Sequence, residues 1–189
     1  MTNIIKIGKL INILEFDKYI KEIDQLPEII HEYGKKFDIP DSPCLMTYGN
    51  NTGGTISFTR HTHKHPILIE LTKEIVKILR SLLHDDIPVY KERVHIIKTK
   101  GNVVAHRDEA GRNTCINIGL MNTSLAMTNT NYTQDQNYDS YILNDGEGYI
   151  LNTHEYHSVT SIENKPRYLI TYGFAEQFDY IKSKVNQLL

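Results

Sequence analysis

Cysteine is scarce in this chain: Cys44 and Cys115 are the only two. Two thiols cannot build a disulfide framework, and reduced side chains in a cytosol are the simpler expectation. Excess charge of one sign is also missing. The formal net charge is −2, so no polyelectrolyte surface for DNA or RNA is expected. Long apolar runs are absent too. The opening MTNIIKIGKLINILEFDKYI is apolar in patches, and lysines and acids interrupt it before a signal-peptide core forms. No run reaches the length of a membrane span. The expected setting is therefore cytoplasmic, with neither membrane nor nucleic acid as partner. Asn131-Tyr132-Thr133 fits a glycosylation acceptor, but without a secretory signal it is discounted. No P-loop, dinucleotide-binding glycine fingerprint, Gly-x-Ser-x-Gly elbow or paired Cys-x-x-Cys occurs. No solenoid repeat or linker-like composition is visible.

What is present is an ordinary globular composition. The chain has 189 residues, 40% hydrophobic and 23% charged, enough for one domain with a sizeable core. One domain is expected over 1–189: helical support and a hairpin in 1–90, a strand-rich core in 91–174, and a closing helix in 175–189. Residues 11–26 have helical spacing, with Ile13, Phe16, Ile20 and Ile23 on one face and Pro27 to end it. Residues 34–42 read as a polar connection. Residues 44–48 and 55–59 read as two strands around the turn signal Asn50-Asn51-Thr52-Gly53-Gly54. The clearest helix is 66–83. Pro66 suits its first turn, and Ile67, Ile69, Leu71, Ile75, Ile78 and Leu82 make a broad apolar stripe. His84-Asp85-Asp86 and Pro88 end it.

From Arg93 onward the period falls to two. Thr114, Ile116, Ile118 and Leu120 make one face of a strand, and Cys115, Asn117 and Gly119 the other. Further strands are expected at 124–128, 140–143, 149–152, 157–160 and 167–174. Gly101, Asp145-Gly146, Gly148 and Lys165-Pro166 punctuate them. Short strands separated by turns indicate a sandwich or barrel, not a βαβ sheet. The Asn/Thr-rich stretch 122–139 reads as a strand and a loop. Phe178, Ile181, Val185 and Leu188 share one side of the closing helix.

Several side chains in the second half have the chemistry of a site. His106 and Asp108 stand two apart, and residues so spaced on a strand or its end project to one side. His157 follows about fifty residues later. Two imidazoles and a carboxylate are what a 2-His-1-carboxylate iron(II) site needs. Spacing alone does not separate that from a surface turn and a partly buried histidine. Arg167 stands ten residues beyond His157, at the head of the apolar run Tyr168-Leu169-Ile170-Thr171-Tyr172. A charge there is either at a rim or paired inside a pocket. Asn117, between Ile116 and Ile118, needs a hydrogen-bond partner if it lines a barrel; a satisfied core amide is the alternative. His61, His63 and His65 share a face if extended and then suit a transition metal, against the plainer reading of a solvated loop. Arg60, Arg107 and Arg112 are candidates for holding an acidic or amino-acid substrate, and Tyr132, Tyr138 and Tyr141 for a lid.

The run KTKGNVVAHRDEAGRNTCINIGL resembles the first metal-binding segment of the Fe(II)/2-oxoglutarate dioxygenases. More narrowly it is similar to the aspartyl/asparaginyl β-hydroxylase and free-proline-hydroxylase branch, with Gly101, His106 and Asp108, then a strand ending Ile118-Gly119-Leu120. The second segment resembles that family's glycine, strand, His-x-Val and arginine ten residues on: Gly148, His157-Ser158-Val159 and Arg167. The resemblance covers about residues 93–174. It implies a mainly β fold, a double-stranded β-helix (jelly roll, cupin-like) with N-terminal helices packed on one sheet, and makes 91–174 a metal-binding core. It implies His106, Asp108 and His157 as catalytic Fe(II) ligands, with His154 as the competing distal histidine. Arg167 would bind the distal carboxylate of 2-oxoglutarate, with Asn117 as a second candidate. Relatives commonly carry histidine at Asn117's place and serine at Leu169's, so the usual hydrogen bonding to 2-oxoglutarate there is either absent or supplied by Thr171. The implied reaction hydroxylates an unactivated C–H of an amino-acid-like small-molecule or peptide substrate while 2-oxoglutarate and O2 become succinate and CO2. Retention of Asp108 implies hydroxylation and not halide transfer. The alternatives are a cupin-type metalloenzyme without 2-oxoglutarate, and a non-catalytic jelly roll that binds a sugar or a partner protein.

Overall fold

The computed structural model describes residues 3–11, 16–31, 40–49, 54–84, 87–108, 111–130 and 139–185. The elements before the core are β1 (Ile4–Lys9), α1 (Asp17–Asp24), β2 (Glu28–His31), β3 (Cys44–Gly49), β4 (Thr55–Arg60) and α2 (Leu68–Leu83). The period-two half supplies β5 (Val94–Lys100), β6 (Val103–His106), β7 (Thr114–Met121), β8 (Ala126–Thr130), β9 (Ser140–Ile142), β10 (Glu147–Asn152), β11 (His157–Ser161) and β12 (Arg167–Phe174), and α3 (Phe178–Val185) follows.

Two sheets face each other. The larger has the order β1-β10-β7-β12-β5-β4-β3-β2, the smaller β6-β11-β8-β9. From β5 to β12 the chain steps repeatedly between the sheets, which is the winding of a double-stranded β-helix. Alternation along the central strands serves two cores at once. Ile116, Ile118 and Leu120 of β7 join Ile96 and Ile170 in a cluster that also holds Leu68, Leu71, Ile75 and Leu79 of α2, Ile20 and Ile23 of α1, and Ile181 of α3. Cys115 on the opposite face of β7 packs inside the barrel with Tyr149 and Leu151. The helices therefore buttress the outer face of the large sheet, and the inner face is left to line a cavity.

The N-terminal region departs from expectation. The helix predicted over 11–26 begins at Asp17, and residues 4–9 form strand β1 on the edge of the large sheet beside β10. A register shift between Lys6 and Gly8 gives β1 a burial period of three instead of two. That irregularity hides a strand from a search for alternation. β2 is four residues long and pairs parallel to β3 at the other edge. Residues 1–90 thus contribute four strands to the large sheet as well as helical support. A 3-10 turn at Thr123–Leu125 occupies the start of the strand predicted at 124, and β8 begins at Ala126. Ile13, the turn residues 50–53, residues 34–39 of the connection, Asp85, Asp86, the 131–133 triplet, Tyr138 and Leu188 lie outside the described residues.

Gly119 shows why a glycine belongs in the Ile-Gly-Leu end of β7. A Cβ there would lie 2.7 Å from the Asn144 carbonyl oxygen and 2.7 Å from Thr123 Oγ1. The Gly119→Ala variant should lose about 1–3 kcal/mol of stability through overpacking. The check is the thermal midpoint followed by circular dichroism; an unchanged midpoint would mean the β7–β8 connection yields.

Candidate metal centre and the cavity behind it

His106 is the last residue of β6, and His157 the first of β11; the two are cross-strand partners. Their rings lie 4.3 Å apart, centroid to centroid. Asp108 follows β6, and its backbone N–H donates to the Thr153 carbonyl at 3.0 Å, which fixes the turn. Its Oδ1 sits 3.7 Å from Nε2 of His106 and 3.7 Å from Nε2 of His157. The three candidate ligand atoms all lie within 4.8 Å of one another.

The hydrogen bonds behind the rings decide what faces the centre. His106 Nδ1 lies 2.9 Å from the Val104 carbonyl, and His157 Nδ1 lies 3.1 Å from the Glu155 carbonyl. A carbonyl oxygen only accepts, so each Nδ1 carries a proton and each ring turns its Nε2 toward Asp108. Burial pushes the His157 imidazole down to about 4; the neighbouring His106 acts in the same direction, and Asp108 opposes it. At neutral pH the His157 ring is uncharged. Its bare Nε2 faces Asp108 Oδ1, and His106 Nε2 converges on the same oxygen. Two imidazole nitrogens and a carboxylate oxygen so gathered are a donor set that suits a divalent transition metal.

Asp108 is held from behind as well. Arg112 Nε lies 3.3 Å from Asp108 Oδ2, and its Nη2 donates to Thr171 Oγ1 at 2.6 Å. The arginine stem lies flat on Gly173, where a Cβ would come within 2.8 Å of it. Oδ2 lies within ion-pair distance of the guanidinium but accepts no hydrogen bond among the described residues, and Oδ1 is left facing the histidines. Thr171 is therefore committed to Arg112. It stands four residues from Arg167, about 13 Å along an extended strand, so the expected substitute donor for Leu169's place is not found there. His154 is exposed in the preceding turn and takes no part in the cluster.

Behind the cluster is a narrow cavity of about 60 Å³, lined among others by His106, Asp108, His157, Asn117, Tyr149 and Arg167. Arg167 is 4% exposed and pairs across the sheet with Thr99, whose Oγ1 accepts from its Nε at 3.1 Å. No carboxylate pairs with it among the described residues. Burial pushes its guanidinium below the usual range. Asn117 donates to the Tyr149 hydroxyl at 3.0 Å, and that hydroxyl lies 3.3 Å from Thr128 Oγ1. Asn117 Oδ1 is buried without a partner. Asn117 thus lines the cavity and is only half satisfied by the protein. Tyr149, Thr99 and Thr128 went unnoticed in the sequence; they meet there only because β10, β5 and β8 are brought together.

A second, open cavity of about 540 Å³ is lined by Tyr48, Phe58, Arg60, Arg93, His95 and Arg112, with Asp108 in its wall. Phe58, Asp108 and Arg112 line both cavities. Of the other polar candidates, Arg107 stacks on Tyr156 at 4.4 Å. Tyr141 packs edge-on against Tyr149 at 5.5 Å; Tyr132 and Tyr138 lie outside the described residues. Of the three clustered histidines, His61 and His63 stand edge-on with ring centroids 6.1 Å apart, and His65 is turned away to α2. His61 has a left-handed backbone (φ 53°) and a 3-10 turn follows, while His65 Nδ1 accepts from the backbone N–H of Ile67 and Leu68 at the start of α2.

No family model and no curated protein matches the sequence. Solved structures do match in shape. SnoN, described as a non-heme alpha ketoglutarate dependent epimerase from nogalamycin biosynthesis, superposes with a TM-score of 0.59 at 12% identity, over 92% of this chain and 79% of that one. A Trichoplax adhaerens prolyl hydroxylase, in complex with a hypoxia inducible factor peptide fragment, gives 0.58 at 11%, over 99% and 87%. The fold is that of the iron and 2-oxoglutarate oxygenases. A Pseudomonas putida prolyl-4-hydroxylase extends the series, with a TM-score of 0.56 at 10% identity over 93% of this chain and 94% of its own. At these identities the likeness is one of architecture.

Proposed function

We propose that the protein is an Fe(II)/2-oxoglutarate-dependent dioxygenase that hydroxylates an unactivated C–H of an amino-acid-like substrate, free or in a peptide. The observation that carries this reading is Arg167. A buried guanidinium without a counter-ion costs about several kcal/mol, and this one opens on the same cavity as three converging metal donors. A ligand with a carboxylate at one end and a metal-chelating group at the other answers both demands.

His106 and His157 would each give Nε2 to iron, and Asp108 would give Oδ1, with Arg112 holding the spare oxygen. Bound iron supplies the redox chemistry that couples decarboxylation of 2-oxoglutarate by O2 to oxygen insertion in a C–H bond. Arg167 would receive the distal carboxylate through a planar two-donor fork, with Thr99 fixing the guanidinium plane. Tyr149, Asn117 and Thr128 offer further polar contacts along the cavity. Val103, Val159 and Leu169 line the same space with apolar surface and exclude water from it. The amino-acid-like substrate rests on the likeness of the two motif segments to the β-hydroxylase branch; the prolyl hydroxylases among the structural neighbours support it. Both cysteines are free and buried, in keeping with a reducing cytoplasm. A cupin-type enzyme without 2-oxoglutarate has no use for the unpaired Arg167, and a non-catalytic jelly roll has none for three converging metal-binding side chains.

The test is anaerobic addition of Fe(II) and 2-oxoglutarate, which should give a weak visible charge-transfer band. A screen of amino acids and peptides for substrate-stimulated succinate release then follows. Well-folded protein that shows no band would sink the assignment. In the same assay Tyr149→Phe should weaken 2-oxoglutarate binding about three- to tenfold, the worth of one hydrogen bond, and leave iron affinity unchanged. No change for either ligand would make Tyr149 a wall and not a contact.

A further inference from the structure

The open cavity beside Asp108 has a charge that its own residues do not neutralise. Arg60, Arg93 and Arg112 line it, and Asp108 is its one acidic group. Asp108 is engaged by Arg112 at 3.3 Å. Arg60 donates from Nε to the Met46 sulfur at 3.3 Å, and Arg93 lies 5.8 Å from the Tyr90 ring. Neither has a carboxylate at ion-pair distance among the described residues. A divalent cation at the His106-Asp108-His157 cluster adds to the excess.

The remaining walls complete a chemical description. Tyr48 and Phe58 stand edge to face, 6.1 Å between centroids, and give an aromatic flank. His95 Nδ1 donates to the Thr59 carbonyl at 2.9 Å, so its Nε2 is an acceptor. Burial pushes this imidazole down to about 4, and Arg60 and Arg112 push in the same direction, so His95 adds no positive charge at neutral pH. The volume, about 540 Å³, is that of a small-molecule pocket.

We propose that this cavity selects a small anionic substrate: Arg60 and Arg93 grip its carboxylate or phosphate, Tyr48 and Phe58 pack against its apolar body, and the molecule is presented beside Asp108. The inference rests on the oxygenase reading for what happens next to Asp108, but not for the binding itself. Guanidinium is the side chain suited to fork onto either oxyanion. A cationic group is repelled from this mouth, so an amino-acid-like substrate enters with its acid end toward the arginines.

Calorimetric titration of the anaerobic Fe(II)-loaded protein, saturated with 2-oxoglutarate to fill the inner cavity, tests this with three probes: phenylacetate, phenyl phosphate and phenylacetamide. The acids should bind at least about tenfold tighter than the amide, and Arg60→Gln and Arg93→Gln should each remove about tenfold of the preference, the worth of a charge-assisted contact. Tighter binding of phenylacetate identifies a carboxylic acid, and of phenyl phosphate a phosphate monoester; either supports the inference. Equal binding of acid and amide, no binding of any probe, or an acid preference that survives both variants overturns it. The charge-transfer band, recorded on the same samples, separates the two readings. A band with no acid preference sinks this inference alone, and acid preference without a band sinks only the oxygenase assignment.

Discussion

Replacing Arg167 with methionine should cut 2-oxoglutarate affinity by at least about thirtyfold, since breaking a buried charge pair costs about 2–5 kcal/mol, while iron affinity stays within a few-fold. The same change should make the ligand-free protein more stable. In the empty cavity the guanidinium has Thr99 Oγ1 as its hydrogen-bond partner and no anion. An apolar side chain of similar length removes that cost, and such exchanges are worth about 1–4 kcal/mol. The two effects have opposite signs, and that separates a ligand-binding arginine from a structural one. Anaerobic titration of the visible band gives the affinity, and thermal melts of metal-free protein give the stability. A lower midpoint with unchanged 2-oxoglutarate affinity would show that Arg167 serves the fold.

Asp108→Asn should have the other large effect. Losing a ligand should weaken iron binding by more than about a hundredfold, because even outer partners of a metal site are worth about 10–100-fold. Turnover should disappear with it. The metal-free protein has a different stake. Asp108 Oδ1 lies 3.7 Å from Nε2 of both histidines, and the His157 nitrogen is a bare acceptor at neutral pH. An amide offers that nitrogen an N–H. The apo variant should therefore melt at least as high as the apo parent, and the rise in midpoint that Fe(II) gives the parent should be absent. Metal content by elemental analysis and melts with and without Fe(II) check both halves. A variant that still binds one equivalent of iron tightly would remove Asp108 from the ligand set.

The core was legible because its strands obey period two and its motif residues lie at strand ends. Residues 167–174 were read with the boundaries that β12 has, and the alternation of β7 was assigned to the correct faces. His106, Asp108 and His157 were singled out together, and the structure places one candidate ligand atom of each within 4.8 Å of the others. β1 was missed because its register shift breaks the alternation, and β2 because four residues carry too little pattern. The Arg112–Asp108 contact joins a loop residue to one four positions earlier, and its purpose depends on Thr171 and Gly173 of a distant strand. The Tyr149 hydroxyl and Thr99 are unremarkable in sequence. Their role comes from register, since Arg167 falls opposite Thr99 and Tyr149 falls opposite Asn117.

The position of β12 bears on how the molecule is made. It is the last strand in chain order among the described residues, yet it lies between β7 and β5 at the middle of the large sheet. During synthesis, β5 and β7 therefore emerge with open edges facing each other across a missing strand. They wait for residues 167–174, so closure is a late event, and until then the growing chain exposes strand edges that invite mispairing. The strand that closes the sheet also delivers Arg167, so the inner cavity gains its buried, unpaired guanidinium only when the fold is finished. A chain terminated before residue 167 should be insoluble rather than merely inactive.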